Sequence, residues 1–289
     1  MKLEIHSLIY NKVSCWVLLM LLTLPVTGQV TYQKKDSIRI CQLLKQSPST
    51  ASTLWLARQF KEVPYVAHTL EVNDNEQLVV NARQLDCTTL VETVVALRLC
   101  LIRGQRTWEG YLNALRQLRY RKGVLNGYPS RLHYFSDWIA DNVKMGLVED
   151  VQGPNPPFTA VQTINVDYMS QHPEAYRALK NHPELIPQIR QQEQALTGKT
   201  VRYIAKQDIK NTSLLRQTVN EGDIIAITCN KPGLDIAHLG FAVWRGDGLH
   251  LLNASQIHRK VVEEPMTLYY YMTKHPSFTG IRIVRLKEN

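Results

Sequence analysis

The stretch Asp86-Cys87-Thr88-Thr89-Leu90-Val91-Glu92-Thr93-Val94-Val95-Ala96-Leu97-Arg98-Leu99-Cys100-Leu101-Ile102-Arg103-Gly104 decides how the chain is read. Asp86 suits an N-cap, because a short acceptor side chain can take one of the unpaired amides of a first helical turn. Leu90, Val91, Val94, Val95, Leu97, Leu101 and Ile102 fall on helical spacing, and Gly104 sits where a C-cap belongs. Upstream, 35–58 reads as helix interrupted at Pro48-Ser49, and Leu70-Glu71-Val72 and Leu78-Val79-Val80-Asn81 read as strands joined by Asn73-Asp74-Asn75. Downstream, 108–121 reads as a second amphipathic helix, Gly153-Pro154-Asn155-Pro156-Pro157 as a loop, and 168–196 as short helices broken at Pro173, Pro183 and Pro187. After Gly198 the period becomes two. Strands are expected over 201–205, 223–228, 238–244, 249–253 and 280–284, with a hairpin turn at Arg245-Gly246-Asp247-Gly248. Helices followed by a run of strands predict an α+β fold with an antiparallel sheet.

Composition bounds the function. Of 289 residues, 44% are hydrophobic and 20% charged, which is enough apolar material for a core and too little charge for disorder. No GxGxxG or GxxxxGK[ST] occurs, so the commonest nucleotide signatures are absent. No paired C-x-x-C or HExxH ligand set occurs, so neither a structural nor a catalytic metal is expected, and no cofactor. A net charge of +9 raises nucleic acid as a partner, but the basic residues are scattered. The densest run, Arg116-Gln117-Leu118-Arg119-Tyr120-Arg121-Lys122, is mixed with apolar residues and reads equally as a solvated helix face.

Lys2 and Lys12 precede the apolar run Val17-Leu18-Leu19-Met20-Leu21-Leu22-Thr23-Leu24-Pro25, with Val26-Thr27-Gly28 behind it. This is the pattern of a secretory signal peptide over 1–28, cleaved after Gly28. The rest, 29–289, would enter an oxidising compartment, periplasmic or secreted, carrying Cys41, Cys87, Cys100 and Cys229.

Cys87 occupies the first turn of the strongest helix, where unpaired amides and the helix dipole bias a thiol toward thiolate. A thiolate is the nucleophile of a cysteine hydrolase, and the backbone amides of Cys87 and Thr88 could hold an oxyanion. A buried structural cysteine is the plain alternative, which Cys100 fits better. His238 opens the strand His238-Leu239-Gly240-Phe241-Ala242-Val243-Trp244, and the pleat puts His238 and Gly240 on one face, with room beside the ring. If Arg245 faces Gly248, then Gly240 faces Asn253, which lies one diagonal step from His238 and can orient its ring. In that register His250 points the other way and reads as surface.

These residues resemble the NlpC-type branch of papain-like cell-wall cysteine hydrolases. The matching pieces are Asp86 to Glu92, Gly222-Asp223-Ile224-Ile225, His238-Leu239-Gly240-Phe241-Ala242 and Leu252-Asn253-Ala254-Ser255, with Asn253 where that branch has His. A longer match is to its N-acetylmuramoyl-L-alanine amidase-like family, through Tyr128-Pro129-Ser130-Arg131-Leu132-His133-Tyr134-Phe135-Ser136-Asp137-Trp138, Asn165-Val166-Asp167-Tyr168-Met169-Ser170 and Gly233-Leu234-Asp235-Ile236-Ala237. The resemblance implies one papain-like domain over 29–289, with a helical insertion around 105–198 narrowing the cleft. It implies Cys87 as nucleophile, His238 as base then acid, and Asn253 as its orienting partner. The implied reaction is hydrolysis of the bond between the lactyl group of muramic acid and L-alanine, in small muropeptides carrying 1,6-anhydro-muramic acid. No nucleic acid, no lasting membrane span and a monomer are expected.

Within the 128–138 segment, Arg131 can pair with a carboxylate or a lactyl carbonyl, Tyr128, Tyr134 and Trp138 offer faces for a sugar, and Asp137 accepts hydroxyls. The alternative is a packed helix with an internal Arg131–Asp137 contact. Asp86 is expected to cap, Glu92 to be structural, and Asp235 to hold the loop before His238. Rival functions are cleavage between D-glutamate and a diamino acid, binding of muropeptides without turnover, and a basic module for an anionic polymer.

Overall fold

The structure, a computed structural model, describes residues 30–288. The expected signal peptide over 1–28 lies outside the described residues, and among those described no helix is long and apolar enough to cross a membrane.

Strand β1 (Val30–Tyr32) leads into helices α1 (Lys34–Gln46) and α2 (Thr53–Arg58), strand β2 (Leu78–Val80), and helices α3 (Cys87–Ile102) and α4 (Trp108–Arg119). Then follow α5 (Phe135–Lys144), β3 (Val148–Val151), β4 (Ala160–Thr163), α6 (Tyr168–Gln171), α7 (Arg177–Asn181) and α8 (Ile186–Leu196). The chain ends β5 (Thr200–Ala205), α9 (Ser213–Thr218), β6 (Ile224–Cys229), β7 (Ile236–Arg245), β8 (Gly248–Ser255), β9 (Lys260–Glu263), α10 (Leu268–Thr273) and β10 (Phe278–Leu286). This is the expected α+β order, helices first and strands after.

Seven strands form the antiparallel path β4-β5-β10-β6-β7-β8-β9, and β3 pairs with β10 beside it. The last strand of the chain is thus central, flanked by β6 on one side and by β5 and β3 on the other. One sheet face carries Leu239, Phe241, Val243 and Leu252 into a core with α1 to α4. The other carries Ile225, Ala242 and Leu251 into a second core with α9 and α10. Helix α3 is buried on nearly every side from Thr89 to Leu101, so an apolar composition, rather than a one-sided stripe, makes it the centre of the first core. Tyr128, Tyr134, Ile164, Val166, Met169, Leu179, Ile189 and Leu196 build a third, smaller core within the segment between α4 and β5.

Two expectations are corrected, and three strands of the larger sheet were not foreseen. Leu70-Glu71-Val72 is not a strand: Val72 is exposed, and β2 pairs in parallel with β1 instead of closing a hairpin. Pro187 does not break a helix but sits in the first turn of α8, where its missing amide costs nothing. Strands β3, β4 and β9 are four residues each, and no alternation long enough to register announces them.

Candidate active site

The first turn of α3 is built as its sequence suggests. Asp86 Oδ1 accepts the Thr89 amide at 2.8 Å, and the Thr89 hydroxyl accepts the Asp86 amide at 2.9 Å, a reciprocal box that fixes where the helix begins. Cys87 is therefore the first helical residue and partly exposed; like Cys41, Cys100 and Cys229 it is a free thiol. Glu92, one turn further, is buried and paired with Arg119 Nε at 2.7 Å, a structural contact.

The β7–β8 hairpin has the register derived from its turn, Arg245 opposite Gly248 and Phe241 opposite Leu252. It brings His238 Nε2 to 2.9 Å from Asn253 Oδ1. Gly240 does not leave room beside the ring. A Cβ there would lie 2.5 Å from the Leu252 carbonyl and 2.7 Å from Leu251 Cδ1, so the glycine lets β8 approach closely. His250 is not a surface residue: it is 1% exposed, with Nδ1 3.0 Å from the Glu264 carbonyl and Nε2 2.9 Å from Asp247. The pleat does point it away from His238, onto the face that packs against α1 to α4, and the backbone of Glu264 just after β9 lies against its ring.

Cys87, Thr88 and His238 line one cavity of about 160 Å³, walled by His133, Tyr134, Met169, Tyr176 and the loop 234–237. Thr88, His133 and Tyr176 also line a second cavity of about 200 Å³, with Asp86, Glu92, Arg119, Tyr128 and Arg131. The loop before His238 is braced from behind. Asp235 Oδ2 accepts the Ser136 amide at 2.8 Å, the Ser136 hydroxyl accepts Arg282 Nη1 at 2.7 Å, and Arg282 Nη2 binds Asp150 at 2.7 Å. Asp235 is a loop anchor, as its place in the sequence suggested.

Burial decides the ionisation of the site. It pushes the Cys87 thiol up to about 12, and the charge of Asp86 adds to that, while the Leu239 and Thr88 amides and the Thr88 side chain pull the other way. The resting group is a thiol, and the expected thiolate bias of the helix terminus is outweighed by desolvation. Burial likewise holds the His238 imidazole below its ordinary value, against Asn253, Glu264 and Asp86, which favour the cation. Burial thus favours the neutral form of both groups.

The 128–138 segment departs from expectation. Trp138 is 0% exposed, stacks on Phe135 at 4.8 Å and packs in the main core, out of reach of any sugar. Asp137 is held by two hydrogen bonds from Arg121, so neither a sugar hydroxyl nor Arg131 has it. Arg131 is buried, paired with Glu71 and Glu76 and laid over the Tyr128 ring at 4.8 Å. It lines the second cavity with Tyr128, its charge already met. Tyr134 lines the Cys87 cavity, but its hydroxyl is engaged, donating to Glu193 at 2.7 Å and accepting the Met169 amide at 3.0 Å. The basic run is no solvated face: Arg119 and Arg121 are both paired with acids.

Sequence reasoning missed His133, Met169 and Tyr176 as walls. It also missed Tyr271 of α10, whose ring centroid lies 6.3 Å from that of His238. It missed Glu264, whose carboxylate lies behind Asn253. Only Glu264 carried a signal, as an acid beside a strand pairing with β8. Among the described residues no cluster of three or more potential ligands could hold a metal ion.

Residues 55–281 match the AmiA-like family, described as N-acetylmuramoyl-L-alanine amidase-like. An N-acetylmuramoyl-L-alanine amidase from Bacteroides uniformis is similar at 38% identity and a TM-score of 0.77, covering 83% of this chain and 99% of its own. A Bacteroides fragilis protein described as a putative xylanase is 42% identical with a TM-score of 0.74, covering 80% of this chain and 99% of its own. A Legionella pneumophila protein at 23% identity and a TM-score of 0.68 shares the fold, over 87% of this chain and 94% of that one. No curated protein matches the chain.

Proposed function

The chain belongs to the N-acetylmuramoyl-L-alanine amidase-like family, and from that premise we propose that it is an exported cysteine amidase. Its reaction is hydrolysis of the bond between the lactyl carbonyl of N-acetylmuramic acid and L-alanine in peptidoglycan fragments, 1,6-anhydro-muropeptides above all. The observation that carries this reading is the meeting, in one cavity, of a cysteine at a helix N-terminus and a histidine hydrogen-bonded to an asparagine. We read that arrangement as papain-like, with the third core between α4 and β5 as the insertion that narrows the cleft. A cavity of about 160 Å³, walled by Tyr134, Met169 and Tyr176, suits the end of a small fragment better than a continuous polymer.

In this mechanism substrate binding displaces water, and His238 takes the Cys87 proton as sulfur attacks the lactyl carbonyl. The tetrahedral oxyanion faces the Cys87 and Thr88 amides at the start of α3. His238 returns the proton to the departing L-alanine nitrogen, leaving a lactyl thioester. Water, deprotonated by the same ring, then releases the sugar acid and restores the thiol. Because the resting thiol is protonated, slow alkylation of the free protein at neutral pH is compatible with catalysis. A xylan hydrolase would need two carboxylates free to act as acid and as base or nucleophile. Here Asp86 caps α3, Glu92 is paired with Arg119 and Asp235 anchors a loop.

The test is mass spectrometry of products from a defined anhydro-muropeptide, with the purified protein and with Cys87→Ala. Free sugar acid plus an intact peptide beginning at L-alanine, absent with the variant, is expected. A sugar-bearing dipeptide would move the scissile bond to the far side of D-glutamate. No product from either protein would sink the amidase reading. Export is tested by the N-terminal sequence of protein recovered from the cell envelope, expected to begin at Gln29; an intact Met1 there would overturn cleavage.

A further inference from the structure

An asparagine is an ambiguous partner for a catalytic imidazole. Its oxygen accepts and its nitrogen donates, and a half-turn about the last bond exchanges them. A contact with His238 alone does not choose between the two. Glu264, directly after β9, does. It is 1% exposed, and its Oε1 lies 3.0 Å from Asn253 Nδ2. A carboxylate only accepts, so the Asn253 nitrogen must face Glu264 and the oxygen must face His238, 2.9 Å away. The imidazole then carries its proton on Nε2 and keeps its lone pair on Nδ1.

The carboxylate is itself aimed from three sides. The Glu264 amide donates to the Leu251 carbonyl at 2.8 Å, its own carbonyl lies 3.0 Å from His250 Nδ1, and its Oε2 lies 3.2 Å from His258 Nε2. The His258 side chain is 38% exposed, so the row Asn253–Glu264–His258 runs from a fully buried amide to the surface. The buried His250 thus has a use: it clamps the backbone of the residue that orients the site. The charge of Glu264 is also felt by His238, Tyr271 and His275, which face it from β7, from α10 and from the turn after it.

We propose that Glu264 is a positioning residue for the hydrolytic reaction: it locks the Asn253 amide in the one orientation that fixes the His238 tautomer, and His258 holds its outer oxygen in place. This rests on the assignment of Cys87, His238 and Asn253 given above. Glu264 touches no substrate. In Glu264→Gln the partner of Asn253 can donate as well as accept, so both amide orientations become available.

Two readouts separate failure of this inference from failure of the amidase reading. The first needs no substrate. Long-range proton–nitrogen NMR of the full protein, labelled in histidine and assigned with His238→Gln, should show His238 protonated on Nε2 alone. Glu264→Gln should give a mixture of tautomers. The second is kinetic: Glu264→Gln should lower kcat about tenfold with KM unchanged. A carboxylate in place of the Asn253 amide accepts from either oxygen and needs no orienting, so Asn253→Asp should reverse the sign. In that variant two carboxylates face each other and repel, and adding Glu264→Gln should raise kcat rather than lower it. A residue that merely stabilised the fold would lower activity in both backgrounds. Wild-type His238 protonated on Nδ1, a measurement that needs no variant of Glu264, would overturn the proposal. So would a Glu264→Gln protein with an unchanged tautomer.

Discussion

The first turn of α3 together with the β7–β8 hairpin, and the segment from Tyr128 to Trp138, were equally suggestive as strings of residues, yet they play opposite parts. In the first region backbone position does the work. A helix must begin after Asp86, a two-residue turn sets the register of the hairpin, and Cys87, His238 and Asn253 arrive where those constraints send them. In the second, side-chain partners far away in sequence decide everything. Asp137 is taken by Arg121, Arg131 by Glu71 and Glu76, and Trp138 by the core. Chemistry placed by backbone can be read from local pattern; chemistry placed by tertiary pairing cannot.

Substitutions should separate the two regions, and the largest effect belongs to the first. Cys87→Ala is expected to lower turnover by about 10³-fold or more, with the melting temperature nearly unchanged, as the loss of a covalent nucleophile requires. In the second region the effect should fall on stability. Trp138→Ala is expected to cost about 3–5 kcal/mol in denaturant unfolding, with KM of the folded protein unchanged. A raised KM without loss of stability would return Trp138 to the substrate. Breaking the buried Glu92–Arg119 pair with Glu92→Ala should cost a similar amount, about 3–5 kcal/mol, because it strands a buried guanidinium.

Tyr134 lies where the two regions meet. Tyr134→Phe removes a hydroxyl that both donates to Glu193 and accepts the Met169 amide, so a cost of about 1–3 kcal/mol is expected. A change in KM should accompany it, since Met169 is a wall of the cavity that Cys87 lines. An effect on stability alone would place Tyr134 wholly with the second region.

The smallest effect is a pH dependence. Burial holds His238 below its ordinary value of 6.5 and His133 well below it. The unfolded chain therefore binds more protons than the folded one in the window beneath 6.5. Stability should be complete above that value and decline as the pH falls through the window, and His238→Gln should reduce the slope. The acid limb of kcat/KM should lie below 6.5 for the same reason, since His238 must be unprotonated to act as base.

Much of the architecture was legible because it rests on periodicity and punctuation. The capped α3, the change to period two after Gly198 and the hairpin at 245–248 all stand as read. The illegible parts share a cause. Strands β3, β4 and β9 are too short to show alternation, and β2 looked like half of a hairpin because its parallel partner β1 is nearly fifty residues away. At the site, the meeting of Cys87, His238 and Asn253 was legible. The resting protonation of Cys87 was not, because desolvation depends on what covers the sulfur. Glu264 was missed because its relation to Asn253 exists only once β9 has folded back on β8.

The central place of β10 has a consequence for how this protein comes to exist. A ribosome delivers Phe278–Leu286 after every other strand of the sheet, yet β3, β5 and β6 each need that strand to complete their ladders. The helices of the first half can pair locally while the chain is still being made. The sheet that carries His238 cannot close until β10 has emerged. A chain that stops before β10 would lose the middle of the sheet, and with it the Arg282 brace behind the loop that leads to His238. Activity therefore certifies that synthesis has passed β10, and a copy ended before that strand is left as an open sheet with its adhesive edges bare.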